Sequence, residues 1–527
     1  GVQRGSVMDF ASSNPGDPLT PGWGATEGAK RLPIKEAKSI TKIPVMPISY
    51  GDAQPLLAAL AGPMAPEEWR GALPIPYHVG PGPAKVHLKV EFNWDIKPVY
   101  DVIAKIPGSV AADEWIVRGN HHDAWVNGAE DPISAQVSLL EEARALGQLV
   151  KQGWKPRRTI IYCAWDGEEP MLLGSTEWAE QHAEELKEHA AVYINSDSND
   201  RGLLSMGGSH SLEQFINGVT REIEDPETKM TVWKREQLSR IAEAKTPEDR
   251  QELRQRADLR IDALGSGTDF TAYLDHLGIA TLDLGFEGED EQGIYHSIYD
   301  DFYWYTHFSD TDFVFGRALA QTVGTSVMRL ADAEVLPFDF VDFADTVDMY
   351  RKDLEKLLAK KQDEIREQNQ ELEDGVFTAT FDPRRPTVAP VKEEVPPHLN
   401  FAPLENAVEA VTRSAKRYQQ ALAARQASLG DEAVAEKLAG VNHELIASER
   451  RLTNPDGLPR RSWYKHLLYA PGVYSGYGVK TIPGVREGIE QKRWAEADAE
   501  IVRVAKALED EAGVIDAAAR ELEGAGG

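Results

Sequence analysis

Residues 157–170 read "RRTIIYCAWDGEEP". A short, continuously apolar run of β-branched and aromatic residues that stops abruptly at charge is the signature of a strand buried on both faces of a parallel sheet. Two glutamates, Glu168 and Glu169, then stand side by side just past its end. Neighbouring residues leaving a strand point in different directions, so the pair does not share one task. Either it forms a solvated loop, the common outcome, or it fills two adjacent roles in one site.

Similar units lie on either side. The strand-like "EWIVRGN" (114–120) precedes the helical pattern "PISAQVSLLEEARALGQLVKQG" (132–153). After the opening run come a helix over "GSTEWAEQHAEELKEH" (174–189) and a strand over "AAVYINSD" (190–197). Farther on, "LGIATLDLGF" (277–286) reads as a strand and "TDFVFGRALAQTVGTSVMRLAD" (311–332) as a helix. Alternating strands and amphipathic helices over residues 96–335 predict an α/β domain with a mainly parallel central sheet and flanking helices. Ligands of such sheets bind at the carboxyl ends of the strands.

The flanks differ in kind. Residues 1–95 are rich in Gly and Pro, as in "SSNPGDPLTPGWG" and "PIPYHVGPGPA". They predict loop-rich β structure with β-like pieces such as "KVHLKVEF" (85–92) and a short helix near "DAQPLLAALAG" (52–62). Residues 336–527 predict an all-helical region. "TVDMYRKDLEKLLAKKQDEIREQNQELE" (346–373) opens it, the Pro-rich "DPRRPTVAPVKEEVPP" (382–397) connects, and helical stretches follow over 404–426, 432–452 and 494–523. Their Leu/Ala/Val stripes read as helix packing.

A chain of 527 residues exceeds one core, in keeping with these three regions. The formal charge of −29 disfavours nucleic acid and anionic membranes as partners and suits cation binding. No apolar run approaches the roughly 20 residues that span a bilayer, and the start "GVQRGSVMDF" lacks a leader-like pattern. The single cysteine, Cys163, excludes an intrachain disulfide and reads as an inert buried side chain.

Three strand ends and one later loop carry the chemistry. "IVRGNHHD" ends in His121, His122 and Asp123, with Asp131 at the start of the next helix. "CAWDGEEP" adds Asp166, Glu168 and Glu169, "VYINSDSND" adds Asp197, and "GIYHSIYDD" adds His296. Each alone is an ordinary structural residue. Together, carboxylates at neighbouring strand ends would repel one another unless a cation sat among them. Imidazoles mixed with carboxylates are the donor set that suits zinc. One adjacent glutamate can then bind metal while its neighbour handles a proton.

These segments resemble the glutamate carboxypeptidase II and transferrin receptor-like family of di-zinc exopeptidases. The resemblance rests on "GNHHDAWVNGAEDP", "IIYCAWDGEEPMLLGSTEWAE", "YINSDS" and "YHSIYD", with "GVQRG" and "GDPLTPG" similar to its protease-associated domain and "YAPGVYSGYGVKTIPG" to its helical domain. It implies a protease-associated domain over 1–95, a peptidase domain over 96–335 and a helical dimerisation domain over 336–527. It implies two zinc ions, one on His121 and Asp197, the other on Glu169 and His296, with Asp131 bridging and Asp123 orienting His121. Glu168 would be the general base, and Tyr295 would contact the substrate carbonyl. Ser266, Gly267 and Tyr477 would line the substrate pocket. It further implies one structural calcium on Glu177 and Glu180 with the backbone of Thr20 and Trp23. His122 would neighbour the site and Asp166 would be structural.

The family likeness makes the chain a small-peptide carboxypeptidase, expected as a homodimer in a secreted, periplasmic or other extracytoplasmic setting. It also places residue 1 inside the protease-associated domain, so a preceding segment of the same protein is an expected partner. The alternatives are a zinc aminopeptidase of the same fold and a non-catalytic binding protein like the transferrin receptor; retention of all five zinc ligands and Glu168 favours an enzyme. The terminal-residue pocket departs from the family. Its two arginines fall on Asp283 and Gly285, its lysine on Gly476 and its asparagine on Thr268. Those changes predict poor acceptance of an acidic terminal residue and a preference for neutral or basic ones.

Overall fold

The computed structural model describes residues 2–8, 14–289, 293–381, 389–425 and 432–524. Residues 382–388 of the Pro-rich connector lie outside that set. Six strands form the main sheet: β1 (Val102–Ile106), β2 (Ala111–His121), β3 (Arg158–Trp165), β4 (Ala190–Asn195), β5 (Gly202–Gly208) and β6 (Thr281–Gly288). Their order is β1-β3-β2-β4-β6-β5. The pairs β2–β3, β2–β4 and β4–β6 are parallel, whereas the edge strands β1 and β5 run antiparallel.

The sheet is mainly parallel, as the alternation of apolar runs and helices implies. Every residue of β4 is buried, and Ile160, Ile161 and Cys163 of β3 have no exposed surface. Strands wrapped by helices on both faces read as unbroken apolar runs because neither face meets water. Helices α1 (Ile133–Lys151), α2 (Leu173–Gln181) and α3 (Val314–Asp332) follow three of the strands. The single helix expected over 174–189 is two, because the backbone of His182 (φ −102°, ψ 21°) interrupts it before Ala183–His189.

Register brings the chemistry to one edge. Gly119 pairs with Cys163 on one side and with Asn195 on the other, and His121 pairs with Trp165. The chain therefore leaves β2, β3 and β4 at nearly the same level, and each exit carries its acids or histidine to the carboxyl edge of the sheet.

The N-terminal region is loop-rich, with the expected helix at Tyr50–Ala58. Its strand expectation fails: among the described residues no strand precedes Val102, and one isolated bridge joins Met64 to His78. "KVHLKVEF" alternates correctly, but no neighbouring strand meets its N–H and C=O groups, and Val86, Leu88 and Phe92 are exposed. Alternation marks a strand only where a partner is in reach.

Five helices dominate the C-terminal region: α4 (Phe340–Glu373), α5 (Ala402–Arg425), α6 (Glu432–Arg451), α7 (Pro483–Glu490) and α8 (Trp494–Gly524). It is not all helical. Strands β7 (Tyr469–Pro471) and β8 (Val479–Thr481) form an antiparallel hairpin. The intervening Gly-rich turn, with Gly476 at φ 59°, has no helical period and lets the chain reverse tightly. One continuous buried cluster runs through both regions, including Leu336, Phe338 and Phe340 at the boundary drawn from the sequence. Among the described residues, no helix is long and apolar enough to cross a membrane.

Candidate active site

His121 is the last residue of β2, and Asp131 stands two residues before α1. Glu168 and Glu169 open a four-residue helix entered through Gly167, whose φ of 69° favours glycine. Asp197 lies two residues past β4, and His296 sits beyond β6 in the left-handed region, at φ 53°. These four segments, the exits of β2, β3 and β4 and the loop after β6, converge. His121 Nε2 lies 3.2 Å from Asp131 Oδ1 and 3.4 Å from Asp197 Oδ1. His296 Nε2 lies 3.2 Å from Asp131 Oδ2 and 3.4 Å from Glu169 Oε2.

That pattern fits two cations sharing one carboxylate. Asp131 turns one oxygen to each histidine. Two ligands about 2.0–2.1 Å from one tetrahedral zinc ion stand roughly 3.3–3.4 Å apart, and the four separations fall within about 0.2 Å of that edge. Two imidazoles with three carboxylates are also the donor chemistry that suits zinc. Among the described residues, His121, Asp131 and Glu169 offer ligand atoms that all lie within 4.8 Å of one another.

Four of the five converging residues have a support behind them. Asp123 Oδ1 lies 3.4 Å from His121 Nδ1, on the far side of the ring from Asp131. The same carboxylate accepts the backbone N–H of Glu168 at 2.9 Å and of Glu169 at 3.2 Å. Asp123 thus holds the paired glutamates by their backbone and stands beside the His121 ring as its charge partner. Glu169 Oε1 accepts the Trp125 N–H at 3.0 Å, leaving Oε2 toward His296. Sequence reasoning missed two further supports. The Arg4 carbonyl stands 3.0 Å from His296 Nδ1, which fixes the tautomer that leaves Nε2 free as a ligand. Asp300 accepts the N–H groups of Glu130 at 2.7 Å and Asp131 at 3.1 Å. Its position four residues after His296 was the available signal.

Charge is concentrated here. Burial pushes the Glu168 carboxyl well above its ordinary range, and His121 does not offset that. Burial, with Asp131 beside it, pushes Glu169 up to about 9. Burial would raise Asp131 too, but hydrogen bonds from His121 and His296 hold it well below the usual carboxylate range. Burial would lower His121, yet Glu168 and Asp197 raise it strongly. Carboxylates crowded at this density are what divalent cations neutralise.

Two cavities meet at the cluster. One of about 860 Å³ is lined by Asp131, Glu168, Glu169, Asp197 and His296, among others, and by residues 3–8. Arg4 is its one arginine or lysine among the described residues. The second, of about 740 Å³, lies toward β6 and contains Asp283, Gly285 and Thr268. Ser266, Gly267, Tyr295 and Tyr477 line both. Tyr295 stacks on His296, with ring centroids 3.6 Å apart. The β7–β8 hairpin delivers Tyr477: its carbonyl accepts the Ser266 N–H at 3.1 Å. A Cβ at Gly265 would sit 2.1 Å from that carbonyl, and one at Gly267 would sit 2.9 Å from the Tyr477 ring. Gly476 lines only the first cavity.

His122 turns away, its Nε2 being 3.2 Å from the Tyr100 carbonyl, while Asp166 accepts the Tyr100 N–H at 2.7 Å. The residues expected around calcium also come together. Glu177 accepts the N–H of Asp17 at 2.5 Å and of Ala25 at 2.6 Å, and the Thr20 hydroxyl at 3.2 Å. The Thr20 carbonyl receives the Trp23 N–H at 3.2 Å. Glu180 accepts the Trp463 indole N–H at 2.7 Å. Burial pushes Glu177 up to about 7 and Glu180 up to about 8.

Comparison with known proteins gives matches along the peptidase-like and helical regions. The model of peptidase family M28 matches residues 101–307, and that of the transferrin receptor-like dimerisation domain matches residues 399–516. The chain is 32% identical over 522 residues to the probable glutamate carboxypeptidase LAMP1 of Arabidopsis thaliana, covering 96% of this chain and 66% of that protein. The probable glutamate carboxypeptidase VP8 of Zea mays is 32% identical, covering 93% and 62%. The aminopeptidase NAALADL1 of Rattus norvegicus is 29% identical, covering 98% and 66%. The chain therefore spans 62–66% of the length of these relatives.

Proposed function

The chain belongs to the glutamate carboxypeptidase II and transferrin receptor-like family, with an M28 peptidase domain, and from that premise we propose that it is a zinc-dependent exopeptidase acting on small peptides. The observation that carries the reading is the division of Asp131, whose two oxygens each lie 3.2 Å from a different histidine. His121, Asp131 and Asp197 would hold one zinc ion, and His296, Asp131 and Glu169 the other. Zinc bound there would supply the Lewis acidity that activates water and a peptide carbonyl at neutral pH.

The chain's own residues then divide the work. Glu168 stands in the cavity wall beside Glu169, and burial gives its carboxylate a strong affinity for protons. It takes the proton of the attacking water and returns it to the leaving amine. Burial raises the Tyr295 hydroxyl far above its ordinary value and pushes Tyr477 up to about 12. Both stay protonated, and Tyr295 can donate to the oxyanion that forms on the carbonyl. Ser266, Gly267 and Tyr477, which line both cavities, would contact the substrate there.

The direction of attack follows from charge. Arg4 in the larger cavity is the cation available for a terminal carboxylate, which favours a carboxypeptidase. The aminopeptidase reading draws on the acidic lining of the smaller cavity, which suits an amine, and on the name of the rat relative. Peptides blocked at one end or the other separate them. Zinc-loaded protein is expected to cleave N-acetylated peptides and spare C-amidated ones; the reverse result would assign an aminopeptidase, and cleavage of neither would reject the exopeptidase. Glu177 and Glu180, facing the Thr20–Trp23 turn, are further proposed as a structural calcium site, and the C-terminal helices as the homodimer contact.

A further inference from the structure

The smaller cavity has a charge pattern of its own. Its acidic lining residues are Glu130, Asp197, Asp200, Asp283 and Glu287, and among the described residues no lysine, arginine or histidine lines it. Apolar side chains, among them Leu264, Phe270 and Phe286, make up much of the remaining wall. Through Asp197 and Tyr295 it opens directly onto the catalytic cluster.

Asp283 is built into this wall with unusual rigidity. It sits on β6 opposite Asn195 of β4. Trp165 Nε1–H donates to the Tyr193 hydroxyl at 3.0 Å, and that hydroxyl donates to Asn195 Oδ1 at 3.0 Å. Asn195 Nδ2 then donates to Asp283 Oδ1 at 2.9 Å and to the Thr268 hydroxyl at 3.2 Å. Trp165, Tyr193 and Asn195 have no exposed surface. The relay fixes the amide orientation of Asn195 and thereby the carboxylate of Asp283, so little freedom is lost when a ligand meets it.

We infer that this cavity is the subsite for a cationic group of the substrate, with Asp283 as its specificity-determining residue. Apolar walls suit a methylene stem, and the fixed carboxylate suits an ammonium or guanidinium head. A glutamate side chain would meet anionic residues and no compensating cation. The inference rests on the exopeptidase reading for its biological meaning, since it names which residue beside the scissile bond the site prefers. The cation has two possible sources, a lysine or arginine side chain or the free amine of a peptide N-terminus.

Calorimetry on the zinc-loaded protein tests the cavity independently of turnover. The probes are the methylamides of N-acetyl-lysine, N-acetyl-norleucine and N-acetyl-glutamate, and of norleucine with a free amine. N-acetyl-lysine methylamide is expected to bind about 10- to 100-fold more tightly than the norleucine analogue, the size of one hydrogen bond between charged groups, and the glutamate analogue more weakly than either. Asp283→Asn, nearly isosteric, should erase the difference between lysine and norleucine while zinc content stays unchanged. Preference for free-amine norleucine over its acetylated form, also lost in Asp283→Asn, would support the cavity with the N-terminal amine as its ligand. Equal binding of the lysine, norleucine and glutamate probes to the wild-type protein overturns the inference. So does a lysine preference that survives both Asp283→Asn and Asp283→Leu, whatever the peptidase assays show.

Discussion

Asp300 offers a sharp test of how Asp131 is held between the two histidines. Its carboxylate is buried and accepts two backbone donors, the N–H of Glu130 at 2.7 Å and that of Asp131 at 3.1 Å. Asp300→Ala leaves both donors unmet. A buried donor left without its acceptor costs about 1–3 kcal/mol, so two put the loss at about 2–6 kcal/mol. Burial also raises the Asp300 carboxyl above its ordinary value, so removing it relieves some desolvation and favours the lower half of that range. The second consequence is functional. The loop that aims Asp131 at both histidines loses its anchor, and loss of such a support typically lowers metal affinity 10- to 100-fold. Thermal unfolding followed by circular dichroism reads the first effect, and competition with a chelator of known zinc affinity reads the second. Asp300→Asn keeps one carbonyl oxygen and should fall between wild type and alanine in both assays. Wild-type stability together with wild-type zinc affinity in Asp300→Ala would refute the reasoning.

Glu168→Gln is expected to retain zinc and lose turnover by about 10² to 10⁴, since an amide cannot take a proton from water; near-normal turnover would reverse the roles of Glu168 and Glu169. Arg118→Ala leaves Glu142 fully buried without its cation at 3.1 Å, and also removes the 2.7 Å contact to Ser196 beside Asp197. A loss of about 3–5 kcal/mol is expected, and an unchanged unfolding midpoint in a denaturant titration would show that the pair is dispensable. Light scattering at micromolar concentration is expected to give a dimer mass, as the dimerisation-domain match suggests, and a monomer mass alone would contradict that expectation.

The α/β core was legible because a buried parallel sheet writes itself as apolar runs: "RTIIYCAW" forms β3, and β4 takes "AAVYIN", the first six residues of the strand read over 190–197. Strand ends at one edge of a parallel sheet pointed to His121, Asp131, Glu169 and Asp197 among their acidic and histidine neighbours, and the family resemblance singled out these four with His296; the structure brings the five together. The supports were harder to see. Asp300 acts through backbone groups 169 and 170 positions away in the chain, and Arg4 acts through its carbonyl, which no side-chain pattern can report. "KVHLKVEF" misled because alternation describes a residue's faces and not its partners. The hairpin carrying Tyr477 was placed in a helical region through the family resemblance of "YAPGVYSGYGVKTIPG", whose two strands of three residues each are too short to show a strand period. Cys163 matched its reading as a buried strand residue.

The central claim is that five ligands hold two zinc ions that together make an exopeptidase. Stripping the protein with a chelator and titrating zinc back, while following hydrolysis of an N-acetylated peptide, tests it in one measurement. Activity is expected to rise to a plateau at two equivalents of zinc per chain. A plateau at one equivalent, or no hydrolysis at any zinc level, would contradict the account.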